Sequence, residues 1–202
     1  MQNFNFHQHT FRCKHADIIE DEEYIKEYIK EGFKRITFTD HCPEKNIIDT
    51  RDNVRMLYDE KEEYLTVIQK LKEKYANQII IESGFEVEYL PGEEKNLKEL
   101  KKETDRLILG QHFIYDKNGN LKYFRNHSNF DRKELLTYVS YIEEAIKLGI
   151  PDIIAHPDVY MLGKDIFGDA EAEVAHKICQ IAEKYNTPLE INLAQIFNHT
   201  YY

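Results

Sequence analysis

Residues 3–17 read NFNFHQHTFRCKHAD, and their opening sets the pattern for the rest of the chain. Asn3 to His9 reads as a short strand that ends in two histidines. Successive side chains of a strand point to opposite faces, so His7 and His9, two positions apart, share one face and can grip one cation together. His15 follows in the loop beyond, with Cys13 between. A chain of 202 residues with nine histidines thus places three of them within nine positions. An isolated H-x-H carries little weight, and the remaining strands decide what it means.

Four further apolar segments end the same way. Arg35 to Thr39 (RITFT) is short and β-branched, and runs into Asp40 and His41. Ile79 to Tyr89 (IIIESGFEVEY) carries Glu86 and Glu88 near its end. Arg106 to His112 (RLILGQH) and Asp152 to His156 (DIIAH) both finish on histidine. Parallel α/β folds gather their chemistry at the C-terminal ends of their strands, where the loops converge. Imidazole suits zinc, iron and manganese, and carboxylates bridge cations well. Ligand-type residues at five strand ends therefore point to one metal-bearing rim. Alternation places Glu86 and Glu88 on one face, so one of the two can be a supporting residue. His176, mid-helix beside Lys177, reads as solvated, and His127 and His199 lack any strand-end context. Cys13 reads as a packing residue, because no base with an orienting partner accompanies it.

Helix-period segments separate these strands. Glu20 to Phe33 carries Tyr24, Ile25, Tyr28, Ile29 and Phe33 as a stripe. Asn53 to Tyr75 reads as one long charged helix with Leu57, Tyr64, Leu65, Ile68 and Leu71 on one side. Asp131 to Leu148 and Ala170 to Tyr185 follow, and Pro188 to Leu193 (PLEINL) reads as a sixth and last strand. The alternation argues for an α/β fold with parallel strands in a single domain over residues 1–202, either a barrel or a doubly wound sheet.

Composition narrows the function classes. A net charge of −10 disfavours nucleic-acid and anionic-membrane partners, both of which need a positive face. No apolar run is long enough to span a bilayer, and no secretory leader is visible. Three cysteines without framework spacing read as reduced thiols of a cytoplasmic protein.

Taken in order, FHQHTFRCKHAD, TFTDHCP, GFEVEY, GQHF and IIAHPD resemble the PHP family, named for polymerases and histidinol phosphatase, and in particular its histidinol-phosphatase branch. The likeness runs from the N-terminus to about Asn192. It implies a distorted (β/α)7, TIM-like barrel with two or three divalent metal ions (zinc, iron or manganese) at its C-terminal rim. Carried over position by position, it makes His7, His9 and Glu86 ligands of a first metal. Glu86 then bridges to a second, completed by His112 and His156, while His15 and His41 serve a third. The G-x-E context favours Glu86 over Glu88. The family pattern also contains a late Asp-x-His, which does not occur here after Leu193. The expectation is a barrel incomplete at its C-terminus, with an exposed sheet edge.

The reaction this implies is hydrolysis of a small phosphate monoester by water that the cations activate, with L-histidinol phosphate of histidine biosynthesis as the expected substrate. His15 and His156 are candidates to protonate the leaving alkoxide. Arg12 and Arg125 are candidates to bind phosphate, since the guanidinium fork fits its oxygens; a salt bridge is the alternative for each. The expected partner is a small phosphorylated metabolite, and a homo-oligomer stays open. The alternatives are a PHP-type phosphodiesterase or nuclease, and a metal-binding protein without activity.

Overall fold

The computed structural model describes residues 2–43, 54–126, 129–162, 164 and 166–192. In chain order its elements are β1 (Phe4–Gln8), α1 (Asp21–Lys30), β2 (Arg35–His41), α2 (Lys61–Lys74), β3 (Ile80–Val87), α3 (Glu94–Glu103), β4 (Arg106–Leu109), β5 (Phe113–Tyr115), β6 (Leu121–Tyr123), α4 (Arg132–Lys147), β7 (Ile153–Ile154) and α5 (Asp169–Tyr185). They form two compact units. One comprises Met1–Glu86 with Leu100–Ile108, the other Val87–Glu99 with Leu109–Tyr202.

In the first unit β1, β2 and β3 run parallel, in the sheet order β1-β2-β3-β4. Every residue of β2 after Arg35 is buried, the signature of an inner strand covered on both faces. Its register with β3 sets His41 beside Glu86. Between Asn5 and Gln8 the register of β1 against β2 shifts. There the Asn5 side-chain oxygen accepts the His7 backbone N–H at 3.0 Å, a bond the ladder would otherwise supply. Tyr28 of α1 pins the same segment, through its hydroxyl, to the side chains of Asn5 and Gln8.

The long helix expected from Asn53 is shorter. Leu57 is extended (φ −70°, ψ 151°), which ends any helix before it, and α2 starts at Lys61 after a 3-10 turn. Asn53 itself lies outside the described residues. The helix buries Tyr64, Ile68 and Leu71, spaced to face one side. Tyr64 reaches furthest in: its hydroxyl donates to the Gly84 carbonyl at 3.0 Å, and its ring meets Phe85 with centroids 5.1 Å apart. At Gly84 a Cβ would lie 2.3 Å from the Arg106 carbonyl oxygen, so only glycine lets these backbones approach so closely two residues before Glu86.

In the second unit the chain leaving β7 lies beside Leu109, whose carbonyl accepts the Ala155 N–H. The expected strand Pro188–Leu193 reduces to a single parallel bridge between Ile154 and Leu189, flanked by backbone bonds from Ile154 to Pro188 and from Glu190 to Ile154. Leu193 and the expected sheet edge beyond it lie outside the described residues. β5 and β6 form an antiparallel hairpin. Its turn is held by Asp116, whose carboxylate accepts the N–H groups of Asn118 and Asn120, both at 2.8 Å, with Gly119 at φ +80°. α4 opens on a capping box in which Asp131 and Glu134 exchange side-chain-to-backbone bonds. Arg132 of α4 pairs with Glu173 of α5 in a two-bond fork. No helix among the described residues is long and apolar enough to cross a membrane.

Candidate metal centre

Five of the seven expected ligands meet in the first unit. His7 Nε2 and His9 Nε2 lie 3.0 Å apart, and each is 3.3 Å from Glu86 Oε2. His41 Nδ1 lies 3.0 Å from the same oxygen. Glu86 is almost fully buried. The His9, His15 and His41 rings each turn one nitrogen into a space where the three lie within 4.8 Å of one another. His15 is the exposed member, and the Cys13 carbonyl takes its Nδ1–H at 3.0 Å. A carbonyl only accepts, so His15 carries a proton on Nδ1 and turns Nε2 away from that contact.

The residues behind this group fix its rings. His9 Nδ1 is 3.2 Å from the Cys13 sulfur and 3.8 Å from Asp40, which leaves Nε2 to face Glu86 and His7. Burial, outweighing the pull of Glu86, holds His9 below the ordinary histidine range, so its ring stays neutral. Asp40, wholly buried, accepts from the Thr10 backbone N–H and hydroxyl with its two oxygens. The Cys13 sulfur accepts the His41 N–H at 3.1 Å. Burial, with Asp40 nearby, pushes the Cys13 thiol far above its usual range. Cys13 is buried, as a packing residue is expected to be, and its contacts to His9 and His41 also make it an orienting one.

Arg12 has other employment than the phosphate contact expected of it. It is 7% exposed. Its Nη1 donates to both Asp21 oxygens at 2.8 and 3.0 Å, and its Nε and Nη2 to Glu63 at 3.0 and 3.2 Å. Its guanidinium carbon also lies 4.5 Å from the Phe11 ring centroid. The salt-bridge alternative therefore describes Arg12. Arg125 is exposed on a 3-10 turn after β6.

The other two expected ligands, His112 and His156, meet in the second unit with ring centroids 4.8 Å apart. Glu88 holds His112 at two points, taking its Nδ1–H at 2.7 Å and its backbone N–H at 2.8 Å. His156 sits at φ +28°, a conformation uncommon for a side-chain-bearing residue. Its N–H is secured by the Glu190 carboxylate at 2.9 Å. His176 is exposed on α5, and His127 and His199 lie outside the described residues.

The donor set fits divalent cations. His7 Nε2, His9 Nε2 and His41 Nδ1 converge on one Glu86 oxygen, imidazole and carboxylate donors of the kind that zinc, iron and manganese take. Electron pairs converging on one point are stabilised by a cation between them. Sequence reading missed Thr10 and Glu190 behind the ligands, whereas it singled out Asp40 as a strand-end residue and Glu88 as the possible support beside Glu86. Asp40 and Glu88 carried the one available signal, a carboxylate at or near a strand end.

A family model described as the PHP domain matches residues 5–194. The Histidinol-phosphatase of Bacillus subtilis (strain 168) is 35% identical over 94 residues, 45% of this chain and 35% of the relative. The chain spans between 35% and 68% of the lengths of the curated relatives it matches. A structure named as a histidinol phosphatase, HisK, from Listeria monocytogenes superposes with a TM-score of 0.78 at 21% identity, over 96% of this chain and 84% of that one. The histidinol phosphate phosphatase of Lactococcus lactis, complexed with zinc, L-histidinol and phosphate, gives 0.72 at 18% identity, over 98% and 75%. These structural likenesses show the fold, the TIM-like α/β class expected from the motifs.

Proposed function

The chain belongs to the PHP domain family, and on that premise we propose that it is a divalent-metal-dependent phosphatase that hydrolyses L-histidinol phosphate to L-histidinol and phosphate. The observation that carries this reading is the convergence of His7, His9 and His41 ring nitrogens on one buried oxygen of Glu86. The substrate takes its support from the curated relatives named histidinol-phosphatase and from the L. lactis structure, which holds zinc, L-histidinol and phosphate.

Cations, two or three in all, would be held by His7, His9, His15, His41 and Glu86 in the first unit and, separately, by His112 and His156 in the second. Zinc, iron and manganese all suit this donor set. Bound cations supply an ionised water near neutral pH and offset charge on the phosphoryl oxygens. The chain's own residues do the rest. Glu86 faces three imidazole nitrogens and supplies the anionic donor among them. Cys13 and its carbonyl hold His9 and His15 with Nε2 outward. Of the two candidate arginines, Arg125 is the exposed one, and we assign it the phosphate. Whichever of His15 and His156 is not committed to a cation is assigned the proton that the leaving alkoxide needs when the P–O ester bond breaks and the water oxygen bonds to phosphorus. The three cysteines are not joined in disulfides, in keeping with a cytoplasmic setting.

The test is phosphate release by the full chain supplied with zinc or manganese. L-histidinol phosphate should be turned over well ahead of p-nitrophenyl phosphate. Cleavage of single-stranded DNA with both monoesters untouched would replace the reading with a phosphodiesterase.

A further inference from the structure

Glu86 and Glu88 stand two positions apart on one strand end, and sequence alternation makes them rivals for the same task. The structure gives them different neighbours. Glu86 Oε2 meets ring nitrogens of three histidines. Glu88, 2% exposed, meets the two N–H groups of one: Oε1 faces His112 Nδ1 at 2.7 Å and Oε2 faces the His112 backbone N at 2.8 Å.

We infer that Glu88 is the positioning residue of His112, its buried carboxylate fixing the ring as the Nδ1–H tautomer so that Nε2 is the atom turned to a cation. A carboxylate accepts and does not donate, so the 2.7 Å contact requires the proton on Nδ1. Two bonds to one residue, one from each oxygen, fix ring rotation as well as tautomer. The second bond also ties the ring to its own backbone, so that the imidazole cannot swing without breaking a buried pair. Hydrogen bonds of this kind behind a ligating histidine raise its basicity and orient its lone pair, and their loss typically costs 10–100-fold in metal affinity. The inference deepens the metal-dependent reading above and rests on it.

The experiment compares the full wild-type chain with Glu88→Gln. Glutamine keeps the shape but offers one acceptor oxygen, so its NH2 must face one of the two His112 donors. Long-range proton–nitrogen NMR of the metal-free wild type, with the His112 signals assigned from His112→Asn, should show the proton on Nδ1. Chelator competition should show Glu88→Gln binding zinc about 10–100-fold more weakly, with its melting temperature near that of the wild type. A wild-type His112 protonated on Nε2 overturns the inference, and so does Glu88→Gln binding zinc as tightly as the wild type. If Glu88→Gln does not fold, the wild-type tautomer decides alone. A wild type that binds no zinc at all strikes the metal reading itself and takes this inference with it; a wild type that binds it while Glu88→Gln is unimpaired strikes the inference only.

Discussion

Arg12 and Asp21 form a buried forked pair, with one guanidinium nitrogen 2.8 and 3.0 Å from the two carboxylate oxygens. Desolvation raises the Asp21 carboxyl above its usual range even with Arg12 beside it, so the pair is held against a burial penalty. Removing one partner strands the other. Arg12→Ala should lower unfolding free energy by about 3–5 kcal/mol in urea titrations. The KM of whatever Arg12→Ala remains folded should stay within about threefold of wild type, because the guanidinium serves the fold. A large rise in KM at unchanged stability would return Arg12 to the phosphate.

Cys13 and Cys42 are buried and Cys179 is exposed. An ordinary thiol is about half ionised near pH 8.5, whereas burial keeps Cys13 protonated well above that. Native protein at pH 8.5 should therefore react with a thiol reagent at Cys179, and denatured protein at all three cysteines. Mass spectrometry that finds Cys13 labelled in the folded chain would show that its site opens.

Gly84→Ala places a methyl 2.3 Å from the Arg106 carbonyl oxygen, a backbone atom that cannot swing aside. Overpacking of this kind costs about 1–3 kcal/mol. The strain falls two residues from Glu86, so zinc affinity should drop along with stability. A variant as stable as wild type would mean that β3 and β4 can part locally at no cost.

Glu86→Gln removes the negative charge on which three imidazole nitrogens converge. Phosphatase activity should fall more than about 100-fold, beyond the usual effect of losing a residue behind a ligand. Metal content measured after desalting should fall with it. Retained metal and activity would show that Glu86 is not needed to hold the cations.

Strand ends were the legible part of this sequence. His7, His9, Asp40, His41, Glu86, His112 and His156 all follow apolar or β-branched runs that the structure confirms as strands or their immediate exits. What was not legible has physical reasons. α3 reads EKNLKELKKE, and only Leu97 and Leu100 mark its inner side, too thin a stripe to stand out from charge. β5 and β6 are three residues each, shorter than a period-two pattern needs. The start of α2 was misplaced because the apolar residues before it continue the helical spacing while Leu57 is extended. The roles of Arg12 and Glu88 depend on partners 51 and 24 positions away, which no local pattern reveals.

The account stands most directly on one measurement: phosphate release from L-histidinol phosphate by the full chain, first stripped by a chelator and then titrated with zinc or manganese. Activity should be absent after stripping and should return in step with bound metal, levelling off at two to three equivalents per chain. A chain that takes up its metal and still releases no phosphate, or one that releases phosphate equally well when stripped, would contradict it.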